Sequence, residues 1–338
     1  MAMSTTPIPA LQDVIGQSDA FLNFQERLSR AAGIDRPVLI IGERGTGKEL
    51  AAARLHYLSP RWQGPYVPLN CAAMPSSLLD SELFGHEAGA FTGAISRRKG
   101  YFERADNGTL FLDEIANLDL QAQAKLLRVA EYGTFDRVGG SSPVEVNVRL
   151  IGATNANLPQ LAREGSFKKD LLDRLSFEVL AIPPLRQREG DVDLLVSHFT
   201  TRMAVGMGLD VRPEFSAQAM SALRSYHWPG NVRELRNVVE RAVYRASGNT
   251  VTCIDFDPFG SDLEALPAGT PEIPEKPATH ACPVDLSIPL PEAVRNLEDT
   301  YLKIALERSR YNQKKAAGLM GLTYHQFRSL YRRLGREK

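Results

Sequence analysis

The sequence predicts an α/β fold in which helices flank a parallel β-sheet, followed by regions that are helical throughout. Apolar strand-like runs alternate with helical segments in the first half of the chain, a pattern typical of a parallel sheet covered on both faces. A glycine-rich loop that joins one of these runs to a helix points to the same fold. The strand-like runs are residues 37–41, 66–70, 108–114, 148–155 and 177–185.

Helical periodicity accounts for the segments before and after the sheet. Phe21, Phe24 and Leu28 recur at helical spacing within residues 17–32 and predict an amphipathic helix. Residues 190–247 show a helical pattern only, interrupted by turns. We therefore expect a helical region with no strands after the sheet.

A proline-rich stretch separates this region from the end of the chain. Residues 258–291 hold eight prolines, which predicts an extended linker. Helical periodicity returns over residues 292–308 and 312–334. Residues 308–338 carry nine Lys or Arg against one acid, which suits an acidic partner such as nucleic acid, although a solvated helix end gives the same pattern.

Composition favours a water-soluble globular protein. Forty basic residues balance forty acidic ones, and no apolar run approaches the roughly 18–20 residues of a membrane span, so no membrane insertion is expected. The first residues lack the pattern of a signal peptide. Cys71, Cys253 and Cys282 are scattered without a CxxC pair, which argues against a disulfide or zinc framework. We expect a cytoplasmic protein.

The segment IIGERGTGKE follows an apolar strand and opens a helix, the context that a phosphate-binding loop requires. Its glycines let the backbone N–H groups approach phosphates, and Lys48 supplies a charge for the β- and γ-phosphates of ATP. Glu49 stands where Ser or Thr usually ligates Mg²⁺. The predicted nucleotide-binding residues here are Gly42, Glu43, Arg44, Gly45, Thr46, Gly47, Lys48 and Glu49.

A second strand, GTLFLDE, ends in two carboxylates. Asp113 is suited to hold Mg²⁺ and Glu114 to deprotonate an attacking water, which indicates ATP hydrolysis; the alternative is a pair of helix-capping acids. Asn70 and Asn155 close two other strands, where ligands bind in open α/β sheets. Either asparagine is also suited to cap a turn, but together they predict a role near the γ-phosphate.

Six motifs together resemble the bacterial enhancer-binding AAA+ ATPases that activate sigma-54 RNA polymerase. They are GERGTGKE, ELFGHEAGAFTGA, GTLFLDE, LLRVAEYGTFDRVGG, ATNANL and WPGNVREL, and the resemblance covers about residues 10–250. The terminal segment NQKKAAGLMGLTYHQFRSLYRRL is similar to the Fis-type helix-turn-helix of this family. The resemblance implies an AAA+ P-loop ATPase with a helical lid, and Glu49 is usual in this family.

The resemblance also implies roles for single residues. Asn70 would hydrogen-bond Glu114 and relay the state of the nucleotide. Thr154 and Asn155 lie at sensor I, and Arg233 lies at sensor II on the lid. The predicted catalytic residues are Glu114, Asp113, Lys48, Arg174 and Asn70.

Arg174 matches the family's arginine finger, which reaches into the site of a neighbouring subunit. A finger supplied in trans implies a ring, most often a hexamer, closed by a repeated head-to-tail interface. The family has a second arginine after Phe167, where this chain has Lys168. Lysine lacks the planar fork that binds phosphate oxygens in a bidentate way, so a second finger is in doubt.

The stretch GHEAGAFTGA places a large apolar side chain, Phe91, in a pliable loop. An ordinary surface loop is one explanation. The resemblance implies a loop that rises when the γ-phosphate is sensed and grips sigma-54, supported by a second loop at Arg137 and Val138. The predicted sigma-54 contacts are Gly89, Ala90, Phe91, Thr92, Gly93, Ala94, Arg137 and Val138.

The terminal helices predict a DNA-binding helix-turn-helix. Phe327, Leu330, Tyr331 and Leu334 form an inward stripe, so the other face of their helix would enter the major groove. A helical hairpin that binds protein is the alternative. The predicted DNA-contacting residues are Thr323 (also the predicted N-cap), Tyr324, His325, Gln326, Arg328, Ser329 and Arg332.

The sequence thus predicts an ATP-dependent activator that binds enhancer DNA and opens sigma-54 promoters, with ATP and Mg²⁺ as cofactors. Within the family the likeness is greatest to activators of phage-shock operons. A DNA-binding repressor with a vestigial ATPase and a generic AAA+ remodeller are the alternatives. Few residues precede the ATPase, so we expect control by a separate inhibitor, which the resemblance implies to be phage shock protein A-like. Trp62 is the candidate contact, unless it is a core anchor.

These predictions divide the chain into five parts. The predicted parts are a tail (1–12), an α/β ATPase subdomain (13–185), a helical lid (186–252), a linker (253–291) and the helix-turn-helix (292–338).

Overall fold

The computed structural model describes residues 14–91, 93–246, 248–258, 290–309 and 312–333. The chain forms two compact units, Met1–Ser261 and Asp262–Lys338. The predicted tail, most of the predicted linker, Thr92 and Leu334 lie outside the described residues. The domain boundaries stay predictions.

A five-stranded parallel sheet forms the centre of the first unit, in the order β2-β3-β6-β1-β7. The five strand-like runs of the sequence are its five strands, because their continuous apolar character suits strands buried on both faces. The strands of this unit are β1 (Val38–Ile41), β2 (Tyr66–Asn70), β3 (Thr109–Asp113), β4 (Thr134–Asp136), β5 (Pro143–Glu145), β6 (Arg149–Thr154), β7 (Glu178–Ala181), β8 (Glu214–Phe215) and β9 (Thr250–Val251).

Helices cover both faces of the sheet and form two apolar cores. On one face, Leu28 and Leu55 pack with Phe111 of β3. On the other face, Phe84 and Phe135 lie in the second core. The helices of this unit are α1 (Asp19–Ala32), α2 (Lys48–Tyr57), α3 (Ser76–Phe84), α4 (Tyr101–Arg104), α5 (Leu120–Tyr132), α6 (Leu158–Arg163), α7 (Lys169–Leu175), α8 (Asp191–Met207), α9 (Ala217–Ser225) and α10 (Asn231–Arg245).

The lid, formed by α8, α9 and α10, packs around the buried Trp228, whose indole N–H donates to Leu223 O. The prediction that residues 190–247 are helical only is wrong in one detail, because β8 pairs with β9 in parallel. A strand of two residues is too short to show a periodicity. The antiparallel β4–β5 hairpin was not predicted either.

The second unit is a three-helix domain made of α11 (Leu290–Arg308), α12 (Gln313–Leu319) and α13 (Tyr324–Arg333). Its core contains Leu302, Ala316 and Phe327. The sequence analysis predicted that Phe327 faces inward. At the start of α13, Thr323 Oγ1 accepts from Gln326 N, and Gln326 Oε1 accepts from Thr323 N, which is a capping box. None of the described helices is long and apolar enough to cross a membrane.

Candidate functional site

The parallel sheet brings the carboxyl ends of β1, β3 and β6 to one edge, where the predicted nucleotide residues meet. Ile41 is paired with Thr154, and Gly42 N donates to Thr154 O at 3.2 Å. Asn70 at the end of β2 is paired with Asp113 at the end of β3. Residues from four separate parts of the sequence therefore surround one position beyond the sheet.

The phosphate-binding loop leads directly into α2. Gly45 and Gly47 have φ angles of +80° and +97°, which glycine adopts without a steric penalty. The buried Lys48 Nζ donates to Gly42 O at 3.1 Å and lies 3.6 Å from Glu114 Oε1. The ammonium group thus lies beside the N-terminus of α2. There it offsets the charge of the Glu114 carboxylate, which would otherwise repel phosphate.

The two carboxylates after β3 are held in different environments. Glu114 has φ 52° and ψ 47°, a left-handed conformation that is uncommon outside glycine, and its side chain makes no cap for the following turn. Asp113 Oδ1 accepts from Glu114 N at 3.0 Å. Burial raises the pKa of Asp113, and the neighbouring Glu114 raises it further. This geometry disfavours the capping alternative and favours a site for positive charge.

Asp113 fits the first requirement of a Mg²⁺ site. Its half-buried carboxylate offers oxygen to a hard cation, and a cation would offset the charge that burial disfavours. Among the described residues, no group of three or more acidic, histidine or cysteine side chains is arranged to hold a metal ion.

A cavity of about 660 Å³ occupies this edge of the sheet and extends to the lid. Apolar residues that the sequence analysis did not predict at the site also line it, among them Ile15, Phe24, Leu195 and Phe199. They come from the segment before α1, from α1 and from α8, so no local motif marks them. The predicted residues that line the cavity are Arg44, Gly45, Thr46, Gly47, Lys48, Glu49, Asn70, Asp113, Glu114, Asn155 and Arg233.

Two predicted residues have side chains engaged elsewhere. Glu43 is not among the described residues that line the cavity, because its carboxylate binds Arg186 and Asn231 of the lid region. The Glu43 side chain is thus directed to the lid region, and a contact of Glu43 with nucleotide stays a prediction. Asn70 Oδ1 accepts from Ala72 N at 2.8 Å rather than bonding Glu114. The relay that the resemblance implies would use the other end of this amide, because Asn70 Nδ2 is the atom that can donate to the Glu114 carboxylate.

Arg174 lies away from the cavity of its own chain. It is exposed in the last turn of α7, and its Nε donates to Glu131 Oε1 at 2.9 Å. Lys168 precedes the same helix, where its backbone N donates to Gln123 Oε1 at 2.8 Å. An exposed arginine remote from its own site is what a finger supplied to a neighbour would require, and this role stays a prediction.

The GAFTGA loop has a fixed base and an open tip. At the base, His86 exchanges backbone hydrogen bonds with Arg98, and Val138 N donates to Gly85 O at 2.9 Å. At the tip, Gly89 and Gly93 have φ of +81° and +103°, with nothing packed where a side chain would lie. The glycines at these two positions therefore serve the backbone conformation and not the packing of a neighbour.

Phe91 lies at this tip with 43% of its surface exposed, and its ring contacts the His86 ring edge-on at 5.0 Å. Ile95, which the sequence analysis did not identify, is 93% exposed. Apolar side chains held out on a loop are typical of a protein contact.

The second loop holds Arg137 in a network of ion pairs. Arg137 is buried, and its guanidinium donates two hydrogen bonds to Glu103 and one to Glu87. Arg137 thus ties the first loop to α4 through its two carboxylate partners, and its predicted contact with sigma-54 stays a prediction. Gly139 also lies against the first loop, so a side chain there would collide with Ala90.

Comparisons with known proteins identify the family. Residues 14–181 match the profile described as "Sigma-54 interaction domain", residues 186–264 match "AAA+ ATPase lid domain", and residues 293–336 match "Bacterial regulatory protein, Fis family". The chain is 52% identical over 323 residues to the Psp operon transcriptional activator of Escherichia coli, covering 95% of this chain and 97% of that protein. This chain belongs to the sigma-54 activator family.

Other relatives of this activator are longer than the chain itself. It is 44% identical to the nitric oxide reductase transcription regulator NorR2 of Cupriavidus necator, over 96% of this chain and 63% of that protein. Among solved structures, NtrX from Brucella abortus in complex with ATP is 32% identical with a TM-score of 0.68, over 96% of this chain and 70% of that one.

These findings confirm the predicted fold and class of protein. The activator is a sigma-54-dependent enhancer-binding protein with an AAA+ P-loop ATPase, a lid and a Fis-type helix-turn-helix. It binds and hydrolyses ATP. The repressor with a vestigial ATPase and the generic remodeller are disfavoured accordingly.

The predicted DNA-contacting residues share the exposed side of α13 and its start. Phe327 faces the core, whereas the side chains on the other side of the helix are exposed. Gly321 has φ +67° and makes the turn between α12 and α13. The exposed residues are Thr323, Tyr324, His325, Gln326, Arg328, Ser329 and Arg332.

Replacing Glu114 with glutamine tests the catalytic carboxylate. The amide keeps the shape of the side chain but cannot accept a proton, so Glu114→Gln should bind ATP with an affinity close to wild type and lose about 100-fold or more in turnover. Nucleotide binding followed by fluorescence and phosphate release measured on the same preparation check this. Turnover near the wild-type rate would remove Glu114 from the reaction.

Proposed function

We propose that this activator opens sigma-54 promoters of a phage-shock type operon, using ATP hydrolysis in a ring to move its GAFTGA loop against sigma-54. The observation that carries the proposal is that one unit combines a nucleotide site with a separate, exposed apolar loop on a fixed base. The choice of operon rests on the 52% identity to the Psp operon transcriptional activator, which the chain matches over nearly its whole length.

The proposed reaction follows from the side chains at the sheet edge. Lys48 and the loop N–H groups would hold the β- and γ-phosphates of ATP, and Glu114 would take a proton from the attacking water. Asp113 would hold Mg²⁺, which neutralises phosphate charge when bound. Asn155 and Arg233 line the same cavity and would respond to loss of the γ-phosphate.

Coupling between this site and the loop has a direct covalent path. Asn70 and Asp113 end the adjacent strands β2 and β3, and α3 follows β2 and leads to the GAFTGA loop. A hydrogen bond from Asn70 Nδ2 to the Glu114 carboxylate would therefore act at the start of the segment that carries Phe91, where Asn70 Oδ1 already accepts from Ala72 N. The Arg137 guanidinium between Glu87 and Glu103 would transmit the same movement to the second loop.

We further propose that the ring has shared sites and an external inhibitor. Arg174 is exposed and outside the cavity of its own chain, as a finger for a neighbouring subunit would be. Trp62 is 56% exposed, which supports the surface alternative over the core anchor and makes it available to a phage shock protein A-like inhibitor. A hexamer is the ring that the family resemblance implies.

A shared site can be tested by mixing inactive subunits. Arg174→Ala and Lys48→Ala should each lose most ATP turnover, since trans fingers in other NTPases contribute about 10³–10⁵-fold. Mixed rings should regain part of the activity, because an intact finger from a Lys48→Ala subunit would face an intact phosphate loop on an Arg174→Ala subunit. Equal amounts of the two variants are assayed together for phosphate release; a mixture no more active than its parts would exclude a site shared in this way.

Removal of the loop aromatic should separate hydrolysis from output. Phe91→Ala should hydrolyse ATP within a few-fold of wild type, because Phe91 lies outside the cavity, yet it should lose sigma-54 binding in the presence of ADP and a metal fluoride. Co-elution with sigma-54 on gel filtration measures the binding.

The matched control is Tyr244→Ala, which removes an exposed aromatic from α10 of the lid and should keep both activities. If Phe91→Ala loses hydrolysis and sigma-54 binding in equal proportion, the loop belongs to the site or to the ring interface. If Phe91→Ala keeps both ATP hydrolysis and sigma-54 binding, Phe91 is not the residue that contacts sigma-54.

A further inference from the structure

Glu43 is a residue of the phosphate-binding loop, but its carboxylate bonds to residues of the lid region. Arg186 Nη1 donates to Glu43 Oε2 at 2.8 Å, and Arg186 Nη2 donates to Glu43 Oε1 at 2.5 Å. This is a bidentate pair, which fixes orientation as well as distance. Its two hydrogen bonds hold the pKa of Glu43 near 2, so the carboxylate stays ionised at physiological pH.

Asn231, the first residue of α10, adds a second set of bonds to the same loop. Its Nδ2 donates to Glu43 Oε2 at 3.0 Å and to Arg44 O at 3.1 Å, while its Oδ1 accepts from Leu185 N at 2.8 Å. Asn231 is fully buried and has φ +51°, a conformation that costs free energy unless its surroundings hold it. One amide thus joins α10 and the backbone of Leu185 to two residues of the loop.

The next residue of the loop meets the lid through its backbone. Arg233 N donates to Gly45 O at 3.3 Å, and a side chain at Gly45 would lie 2.2 Å from Gly230 O. Three consecutive loop residues, Glu43, Arg44 and Gly45, are therefore held by the lid. The N–H groups that cradle phosphate begin in this same stretch.

We propose that Glu43 is a positioning residue: with Arg186 and Asn231 it fixes the phosphate-binding loop in the shape that receives ATP, so that the lid sets nucleotide affinity. This inference rests on ATP binding at the loop. The side chains of Glu43 and Arg186 are 42% and 31% exposed, and pairs so exposed contribute little to folding stability. The effect of the pair is accordingly expected on the position of the loop more than on the stability of the protein.

The test is steady-state ATP hydrolysis by the full-length chain as a function of ATP concentration, together with fluorescent-ADP binding and thermal unfolding without nucleotide. Glu43→Ala should raise KM for ATP and Kd for ADP about fivefold or more, and Arg186→Ala about threefold, with kcat within about twofold of wild type. The double variant should be no worse than Glu43→Ala, because both changes remove one interaction. Glu43→Gln, which keeps an acceptor for Asn231, should fall between wild type and Glu43→Ala.

The matched controls are Asp193→Ala and Arg224→Ala, which break another bidentate pair that lies within the lid. They should leave KM unchanged. A merely structural role for Glu43 would lower the unfolding temperature and the active fraction without moving KM, and that result would overturn the inference. Additive effects of Glu43→Ala and Arg186→Ala, or equal effects in the controls, would also overturn it. Failure of the wild-type chain to bind or hydrolyse ATP would instead contradict the proposed function.

Discussion

The parallel register of β1, β3 and β6 is the constraint on which the rest of the activator depends. It places Gly42, Thr154 and Asp113 at neighbouring positions on one edge, so a lysine, two carboxylates and an asparagine from distant parts of the chain face one cavity. The Lys48–Glu114 contact at 3.6 Å shows how close these groups lie. A shift of one residue in this register would turn alternate side chains to the opposite face and dismantle the site.

The nucleotide cavity, the exposed GAFTGA loop and the lid are three separate parts of the first unit. The cavity lies at the sheet edge, the apolar tip at Phe91 is carried on a loop inserted beyond α3, and the lid contacts the phosphate-binding loop through Asn231. The lid contact is made by a fully buried amide, and at the sheet edge Asn70 Oδ1 accepts from Ala72 N.

The sequence predicted those features that are local. Five apolar runs became the five sheet strands, and the phosphate-binding loop, the two carboxylates and α13 each form within a short segment whose pattern is visible by itself. The sequence could not show contacts between partners that are far apart in the chain: Arg186 and Asn231 lie more than 140 residues from Glu43, so no spacing marks their contact. The β8–β9 pair was not predicted, because strands of two residues show no alternation of apolar and polar side chains. The burial of Arg137 was not visible either, because its carboxylate partners come from two other segments.

Promoter opening on a supercoiled template tests the central claim most directly. The template carries a sigma-54 promoter and an upstream binding site, and permanganate reactivity of unpaired thymines reports melting by sigma-54 RNA polymerase in the presence of the activator. The account predicts melting with ATP and none with a non-hydrolysable ATP analogue, since the work is done by hydrolysis. Equal melting with the analogue, or ATP hydrolysis without melting at any sigma-54 promoter to which the activator binds, would contradict it.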